Sequence, residues 1–444
     1  MAKIAILGGG ESGVGAALLA QSKGFEVFLS DSGILKDEYQ LTLTNNNIPF
    51  ESGQHTLSKI LDANEIIISP GIPEKADIVK EIKKLNISLV SEIEFASRYT
   101  SAKIIAITGS NGKTTTTLLT YHLLKEAGLK VGLAGNIGQS FAKQVLDNQM
   151  DYFVIEISSF QLDRCFKFKP DVSILLNITP DHLDRYEYKF ENYIQSKLRI
   201  FQNASDESQN IIWEDDEVLI SHKNQLPSKN LQTISFKNKN ATAFIQDQQI
   251  EYSGNWSLNK KDSPIKGPHN AINLSAAILA AQAVGISREQ ILKALPTFIN
   301  AEHRLEPCGI WNGVEFINDS KATNVDAVFY ALNSFEKGII LIIGGVDKGN
   351  DYSVLDNLVK KRVKGIVCLG TDNEKLIAHF GPKISTIIST TSLKEAVETS
   401  AKWAIEGDTI LLSPACASFD LFKNYEDRGK QFKETVKNFI HAQN

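Results

Sequence analysis

Three times along this chain an apolar, β-type run turns straight into glycine. Residues 3–7 lead into Gly8-Gly9-Gly10, residues 104–108 into Gly109-Ser110-Asn111-Gly112-Lys113, and residues 338–343 into Gly344-Gly345. Short apolar runs of this kind mark strands buried on both faces, and such strands pack into parallel sheets covered by helices. At roughly 100–200 residues per domain, a chain of 444 residues leaves room for each start to found a domain of its own. The predicted class is therefore α/β, and the length suggests about two to four domains.

Further strands are predicted at 26–29 and 66–69 in the first block, and at 152–157 and 172–176 in the second. Around 204–262 the texture changes to Asn, Gln, Lys and Ser with short alternating pieces at 243–245 and 249–252. This predicts a small antiparallel elaboration of the central domain, followed by an alanine-rich helix over 270–284.

The net charge is only -5, so any anionic ligand must be held by local groups, and no nucleic-acid partner is expected. Cys165, Cys308, Cys368 and Cys416 form no C-x-x-C pair. They read as small buried hydrophobes of a reducing compartment. The opening residues enter a strand directly, without the regions of a signal peptide, and the longest apolar runs are far too short to span a bilayer. A cytoplasmic protein without membrane insertion is expected.

The strongest local signal is Gly109-Ser110-Asn111-Gly112-Lys113-Thr114-Thr115 between a strand and a helix. Backbone N–H groups of such a turn can surround a phosphate, and the helix N-terminus adds a favourable dipole. Lys113 would reach the β- and γ-phosphates and the Thr114 hydroxyl would bind Mg²⁺. Ile107 stands where the usual P-loop has its first glycine, so the loop is P-loop-like. The competing reading is a glycine turn with a solvent-facing lysine.

Gly8 to Gly13 fits G-x-G-x-x-G, and Asp31 follows the second strand where a Rossmann fold places its ribose acid. Alone, this favours NAD or FAD, although the same geometry serves other nucleotide diphosphates. Glu156 ends an apolar strand, and Asp181-His182 follows another. Ligands gather beyond the carboxyl ends of strands in open α/β sheets, so Glu156 and His182 are expected to share a metal near the phosphates. An ion pair for Glu156 and a helix-start bond for His182 are the plainer alternatives. By pattern alone Lys197 is a helix lysine in solvent. The third block offers His303-Arg304, Asn318-Asp319-Ser320-Lys321, a second glycine turn with Lys348, and Ser413 to Ser418 opening a helix. Ordinary turns and caps compete with each of these.

Gly109-Ser-Asn-Gly-Lys-Thr114, Glu156-Ile-Ser-Ser-Phe-Gln161, Asp181-His182, Ser196-Lys197-Leu-Arg199, His269-Asn270, His303-Arg304, Asn318-Asp319-Ser320-Lys321 and Ser413-Pro-Ala-Cys-Ala-Ser418 stand in one particular order. In that order the chain resembles the Mur ligase family, over its whole length. The resemblance implies three domains: a Rossmann-like N-terminal domain at 1–97 that holds the UDP of a nucleotide-sugar substrate, a P-loop-like central ATPase domain at 98–300, and a Rossmann-like C-terminal domain at 301–444 that holds the amino acid. The implied reaction joins D-glutamate to UDP-N-acetylmuramoyl-L-alanine through an acyl phosphate, with ATP and Mg²⁺, in peptidoglycan precursor synthesis. A monomer is expected.

The resemblance also assigns residues. Glu11, Ser12, Asp31, Ser32 and Gly71 fall in the uridine and diphosphate segments. Asn136, Ser158 and Gln161 would contact the muramoyl-peptide. Asn270, Asn273, Arg304, Asp319 and Lys321 join residues 109–115 at ATP. Thr323, Lys348, Ser418 and Tyr425 would hold D-glutamate. Thr114, Glu156, His182 and Lys197 would serve the metal, Lys197 as a carbamate formed with CO₂, which reverses the reading from pattern. Lys113, His182 and Lys197 are the expected catalytic residues. Another ATP-driven amino-acid ligase of the same superfamily is the nearest alternative, and a nucleotide-binding switch is the alternative from another class.

Overall fold

The computed structural model describes residues 2–336 and 338–443. Five parallel strands form the first sheet: β1 (Lys3–Leu7), β2 (Glu26–Asp31), β3 (Phe50–Ser52), β4 (Glu65–Ile68) and β5 (Ser88–Ser91), in the order β3-β2-β1-β4-β5. Successive side chains of β1 point to opposite layers. Ile4 and Ile6 pack with Val14, Ala17 and Leu19 of the helix Glu11–Ser22, while Ala5 and Leu7 pack with Ile78, Val79 and Ile82 of the helix Asp77–Lys84. An unbroken apolar run is what a strand covered on both faces requires. The strand order switches direction between β1 and β4, the place beyond whose strand ends ligands gather in open α/β sheets.

The second sheet has nine strands: β6 (Lys103–Thr108), β7 (Val131–Gly135), β8 (Tyr152–Glu156), β9 (Val172–Leu175), β10 (Gln209–Trp213), β11 (Leu231–Ser235), β12 (Ala243–Ile245), β13 (Gln249–Tyr252) and β14 (Trp256–Asn259). Their order is β14-β13-β12-β11-β10-β9-β6-β8-β7. The expected antiparallel elaboration is present only in β12, β13 and β14. Strands β10, β11 and β12 continue the sheet in parallel, so 204–262 is an extension of the central sheet and not a separate layer. The polar texture that marked the region sits in its connections, whereas Asn210, Ile211 and Ile212 of β10 are buried. In β14 buried and exposed residues alternate, as they do in a strand with one face in solvent.

The third sheet contains β15 (Glu306–Trp311), β16 (Val314–Asn318), β17 (Ile339–Ile343), β18 (Val363–Leu369), β19 (Ile387–Thr390) and β20 (Thr409–Leu412), in the order β15-β16-β20-β17-β18-β19. Only β15 and β16 are antiparallel. Every residue of β17 is fully buried, with Ile339, Leu341 and Ile343 in one apolar layer and Ile340 and Ile342 in the other. The chain divides into two compact units, Met1–Pro264 with Ala271–Phe298, and Ile265–Asn270 with Ile299–Asn444. The first unit holds the first two sheets and the second unit holds the third. No described helix is long and apolar enough to cross a membrane. All four cysteines are free, and burial pushes the thiols of Cys165, Cys308 and Cys368 up to about 12.

Candidate active site

Strands β8 and β9 flank β6 in parallel, so the segments that follow these three strands emerge side by side on one edge. This adjacency gathers the phosphate-type loop, Glu156 and the His182 turn. In the loop, Gly112 has φ +85°, and a Cβ there would lie 2.3 Å from Asn273 Oδ1. The β9 side braces it. Ser110 N donates to Asn177 O (3.0 Å), Asn111 N donates to Asn177 Oδ1 (2.8 Å), and Asn177 Nδ2 donates to Asn111 O (3.0 Å). Ser110 Oγ donates to Thr179 O (2.9 Å) and accepts from Thr179 N (2.9 Å). The side chain of Ser110 therefore shapes the loop itself. Lys113 Nζ donates to Gly109 O (2.8 Å) and Ser110 O (2.9 Å). Thr114 and Thr115 are buried in the first turn of the helix Lys113–Glu126, where the Thr115 hydroxyl has no hydrogen-bond partner among the described residues.

Glu156 is the last residue of β8 and is buried. Its Oε1 accepts from Asn136 Nδ2 (2.8 Å), while its buried Oε2 has no hydrogen-bond partner among the described residues. A carboxylate oxygen buried without a donor is costly, and a hard cation is a group that satisfies it. Thr114, Glu156 and His182 thus fit Mg²⁺ in donor chemistry. Among the described residues no three His, Cys, Asp or Glu side chains group as a metal site, so a cation here would need ligands from outside the chain, such as phosphate oxygens. His182 has φ +52° and opens the 3-10 turn Leu183–Arg185, with its ring partly in solvent. Desolvation, with the Lys113 and Lys197 cations, lowers its pKa against the pull of Asp181 and Asp184, so the ring is neutral near pH 7.

The pattern reading of Lys197 as a solvent-facing lysine is wrong. The residue lies on the inner side of the helix Phe190–Leu198 and is 1% exposed. Its Nζ donates to Gly109 O (2.9 Å) and Thr108 Oγ1 (3.3 Å) and stands 5.1 Å from the Tyr193 ring centre. Burial first, and Lys113 second, hold its pKa well below the usual lysine value, although Asp181, Glu156 and Asp163 pull it up. Ser158 and Gln161 form a capping box at the helix Ser159–Leu162, so Gln161 Oε1 is held by Ser158 N (2.9 Å).

In the first sheet, the segments after β1 and β4 meet at the switch point. Ser69 N donates to Leu7 O (2.9 Å), and a Cβ on Gly8 would sit 2.4 Å from Ser69 Oγ. Asp31 ties the glycine turn down, accepting from Gly9 N (2.6 Å) and Gly33 N (2.7 Å). Glu11 accepts from Tyr39 Oη (3.3 Å) and from Ser140 N (3.4 Å), which gives its carboxylate partners within the protein. Ser12 faces the buried Glu92, and Ser32 and Gly71 are exposed.

In the second unit, the loops after β16, β20 and β17 are neighbours. Asp319 accepts from Ser413 Oγ (2.8 Å) and Leu305 N (3.2 Å). Burial raises its pKa to about 6, against Arg304 and these donors. Arg304 has a buried Nε without a hydrogen-bond partner among the described residues. Val346 N donates to Ala417 O (2.8 Å), which joins the Lys348 loop to the segment carrying buried Ser418. Lys348 and Thr323 are exposed, and Lys321 Nζ lies 5.6 Å from the Tyr425 ring centre. Asn270 Nδ2 donates to Lys266 O (2.8 Å). Sequence reasoning missed Asn177, Tyr193 and Asp347. Asp347 accepts from Gly349 N (2.6 Å), Asn350 N (3.0 Å) and Tyr352 Oη (2.7 Å) and so shapes the Lys348 loop. An Asp two residues before a glycine is a turn signal that could have found it. Asn177 and Tyr193 carried no local signal.

Comparison with known proteins places this geometry. The MurD N-terminal domain matches residues 3–78, the Mur ligase middle domain 107–281, and the Mur ligase glutamate ligase domain 303–416. The chain is 50% identical to the UDP-N-acetylmuramoylalanine–D-glutamate ligase of Christiangramia forsetii, over 98% of this chain and 99% of the relative. It is also 50% identical to the ligase of the same name from Cytophaga hutchinsonii, over 98% of each. In fold it is similar to the UDP-N-acetylmuramate-alanine ligase MurC of Thermotoga maritima (TM-score 0.61, 19% identity, 99% of this chain and 100% of that one). It is likewise similar to the MurF ligase of Thermotoga maritima in complex with ADP (TM-score 0.65, 16% identity, 94% of this chain and 96% of that one). With identity at that level to relatives across nearly its whole length, and three matching domains in order, the chain belongs to the Mur ligase family.

Proposed function

We propose that this chain joins D-glutamate to UDP-N-acetylmuramoyl-L-alanine at the expense of ATP, forming ADP and phosphate, as a step of peptidoglycan precursor synthesis. The observation that carries the chemistry is the edge where Lys113 and Lys197 share the Gly109 carbonyl beside the orphaned oxygen of Glu156. In outline, the L-alanyl carboxylate attacks the γ-phosphorus of ATP and ADP leaves. The D-glutamate amine then attacks the acyl phosphate, and inorganic phosphate leaves. Lys113 offsets charge on the transferring group, and N–H groups at the start of the helix Lys113–Glu126 orient the phosphates. Mg²⁺, held by Thr114, Glu156 and His182 together with phosphate oxygens, would neutralise further charge there. A neutral His182 can offer a ring nitrogen to that cation or accept the proton released from the amine.

A desolvated Lys197 beside a second cation favours its neutral amine, the form that adds CO₂, which supports a carbamate at this position. Glu11, Ser12, Asp31, Ser32 and Gly71 serve the UDP end at the switch point, and Asn136, Ser158 and Gln161 serve the muramoyl-peptide. Thr323, Lys348, Ser418 and Tyr425 serve D-glutamate. The share of Asn270, Arg304, Asp319 and Lys321 in nucleotide binding rests on the family resemblance. Domains at 1–97, 98–300 and 301–444 divide these tasks. Four free thiols fit a cytoplasmic setting.

The test is an amino-acid panel with UDP-N-acetylmuramoyl-L-alanine and ATP, scored by product mass and phosphate release. A D-glutamate adduct, with phosphate released only when all three substrates are present, is expected. An adduct with an L-amino acid and none with D-glutamate overturns the amino-acid assignment. ATP turnover without either partner would mark a switch instead of a ligase.

A further inference from the structure

The segment after β4, Ser69-Pro70-Gly71-Ile72, carries the exposed Gly71 at the switch point of the first sheet. Three successive carbonyls of this segment turn toward one side chain. Arg185 Nη2 donates to Pro70 O (3.2 Å) and Ile72 O (3.3 Å), and Nη1 donates to Gly71 O (3.4 Å). Among the described residues no carboxylate forms an ion pair with this guanidinium, and its rigid fan of donors is given to backbone oxygens. A lysine, with a single point of charge, could not reproduce that arrangement.

Arg185 also lies 4.3 Å from the ring centre of Phe160. Phe160 stacks on Tyr186 (5.9 Å, 13°) and meets the His182 ring edge-on at 5.2 Å. Arg185 closes the 3-10 turn that His182 opens. One guanidinium therefore touches both the Gly71 segment and the aromatic that backs His182. Two residues beyond Ile72, Glu74 pairs with Arg164, which follows the Ser158–Gln161 box, so the same loop is fastened twice to the second sheet.

We propose that Arg185 is a positioning residue, which sets the Gly71 segment for the diphosphate of the substrate and couples that setting to His182. Drawing three carbonyl oxygens to one side removes their lone pairs from the side where an anionic diphosphate would lie. It also makes the nucleotide-sugar segment and the His182 turn move as one body. The inference rests on the proposed function for the identity of the ligand, but the link itself is visible without it.

The experiment compares Arg185→Ala and Arg185→Lys with the unaltered enzyme. Readouts are the KM for each of the three substrates, kcat, the melting temperature, and calorimetric binding of UDP. Arg185→Ala is expected to raise the KM for the nucleotide-sugar acid and the Kd for UDP by about 10- to 100-fold, the size of effect that a misplacement of about 1 Å produces. The KM for ATP should stay within about twofold, and kcat should fall. Arg185→Lys should recover little, whereas added methylguanidinium should partly restore the alanine variant. Unchanged KM and UDP affinity overturn the proposal. Equal losses for all three substrates with a lowered melting temperature also overturn it, because they indicate a merely structural arginine. If the unaltered enzyme does not use UDP-N-acetylmuramoyl-L-alanine, the proposed function fails on that ground alone, and UDP calorimetry still decides the role of Arg185.

Discussion

Two ammonium groups on one carbonyl oxygen are hard to keep charged. Lys113 and Lys197 both donate to Gly109 O, and Lys197 is buried as well. Its folded-state pKa is depressed, so between that value and the ordinary 10.5 the unfolded chain holds a proton that the folded chain does not. Stability therefore rises with pH through this window, and the penalty is largest below it. In bicarbonate-free buffer, Lys197→Met should be more stable than the parent at pH 7, by roughly 1–4 kcal/mol, since Lys113 still satisfies the carbonyl. The gain should shrink toward pH 10, and ligase activity should be lost. Denaturant titrations across pH decide this, and a less stable variant at pH 7 would mean that the two hydrogen bonds outweigh desolvation. Lys197 was misread from pattern because periodicity assigns a lysine to the polar side of a helix. Nothing local reveals that Thr108 and Gly109, almost ninety positions earlier, wait on the inner side.

The phosphate-type loop shows how far an element can be read in isolation. Its glycines, lysine and threonines were legible because a tight turn between strand and helix requires those residue types. Its support was not, since Asn177, Thr179 and Asn273 come from β9's end and from a distant helix. Gly112→Ala tests that support. The new Cβ would meet Asn273 Oδ1 at 2.3 Å, and the left-handed backbone at φ +85° costs a non-glycine residue about 1–2 kcal/mol. A melting temperature lowered by several degrees is expected, with kcat/KM for ATP reduced about tenfold or more. Retention of both would show that the loop re-forms around the methyl group. The strip over 204–262 teaches the opposite lesson. Polar turns between short strands suggested a small antiparallel elaboration, which β12 to β14 form, but not that β10 pairs in parallel with β9 and β11 in parallel with β10.

At the level of the molecule, each sheet brings its chemistry to the ends of its parallel strands, so the three substrate tasks should be separable. Lys348 stands exposed on the loop after β17, in the second unit. Lys348→Ala should raise the KM for D-glutamate about 10- to 100-fold, the worth of a charge-assisted bond to a carboxylate. The KM for the nucleotide sugar and the melting temperature should stay nearly unchanged, and an unaltered KM for D-glutamate would remove Lys348 from the amino-acid pocket. Local sequence was sufficient for the α/β class and the three glycine starts, because strand burial and turn geometry each impose residue preferences within a few positions. It could not decide which loops meet, that Lys197 is inside, or that Arg185 gathers three carbonyls. Those follow from strand order and helix packing, which join residues tens of positions apart through burial and hydrogen bonds that no short window of sequence contains.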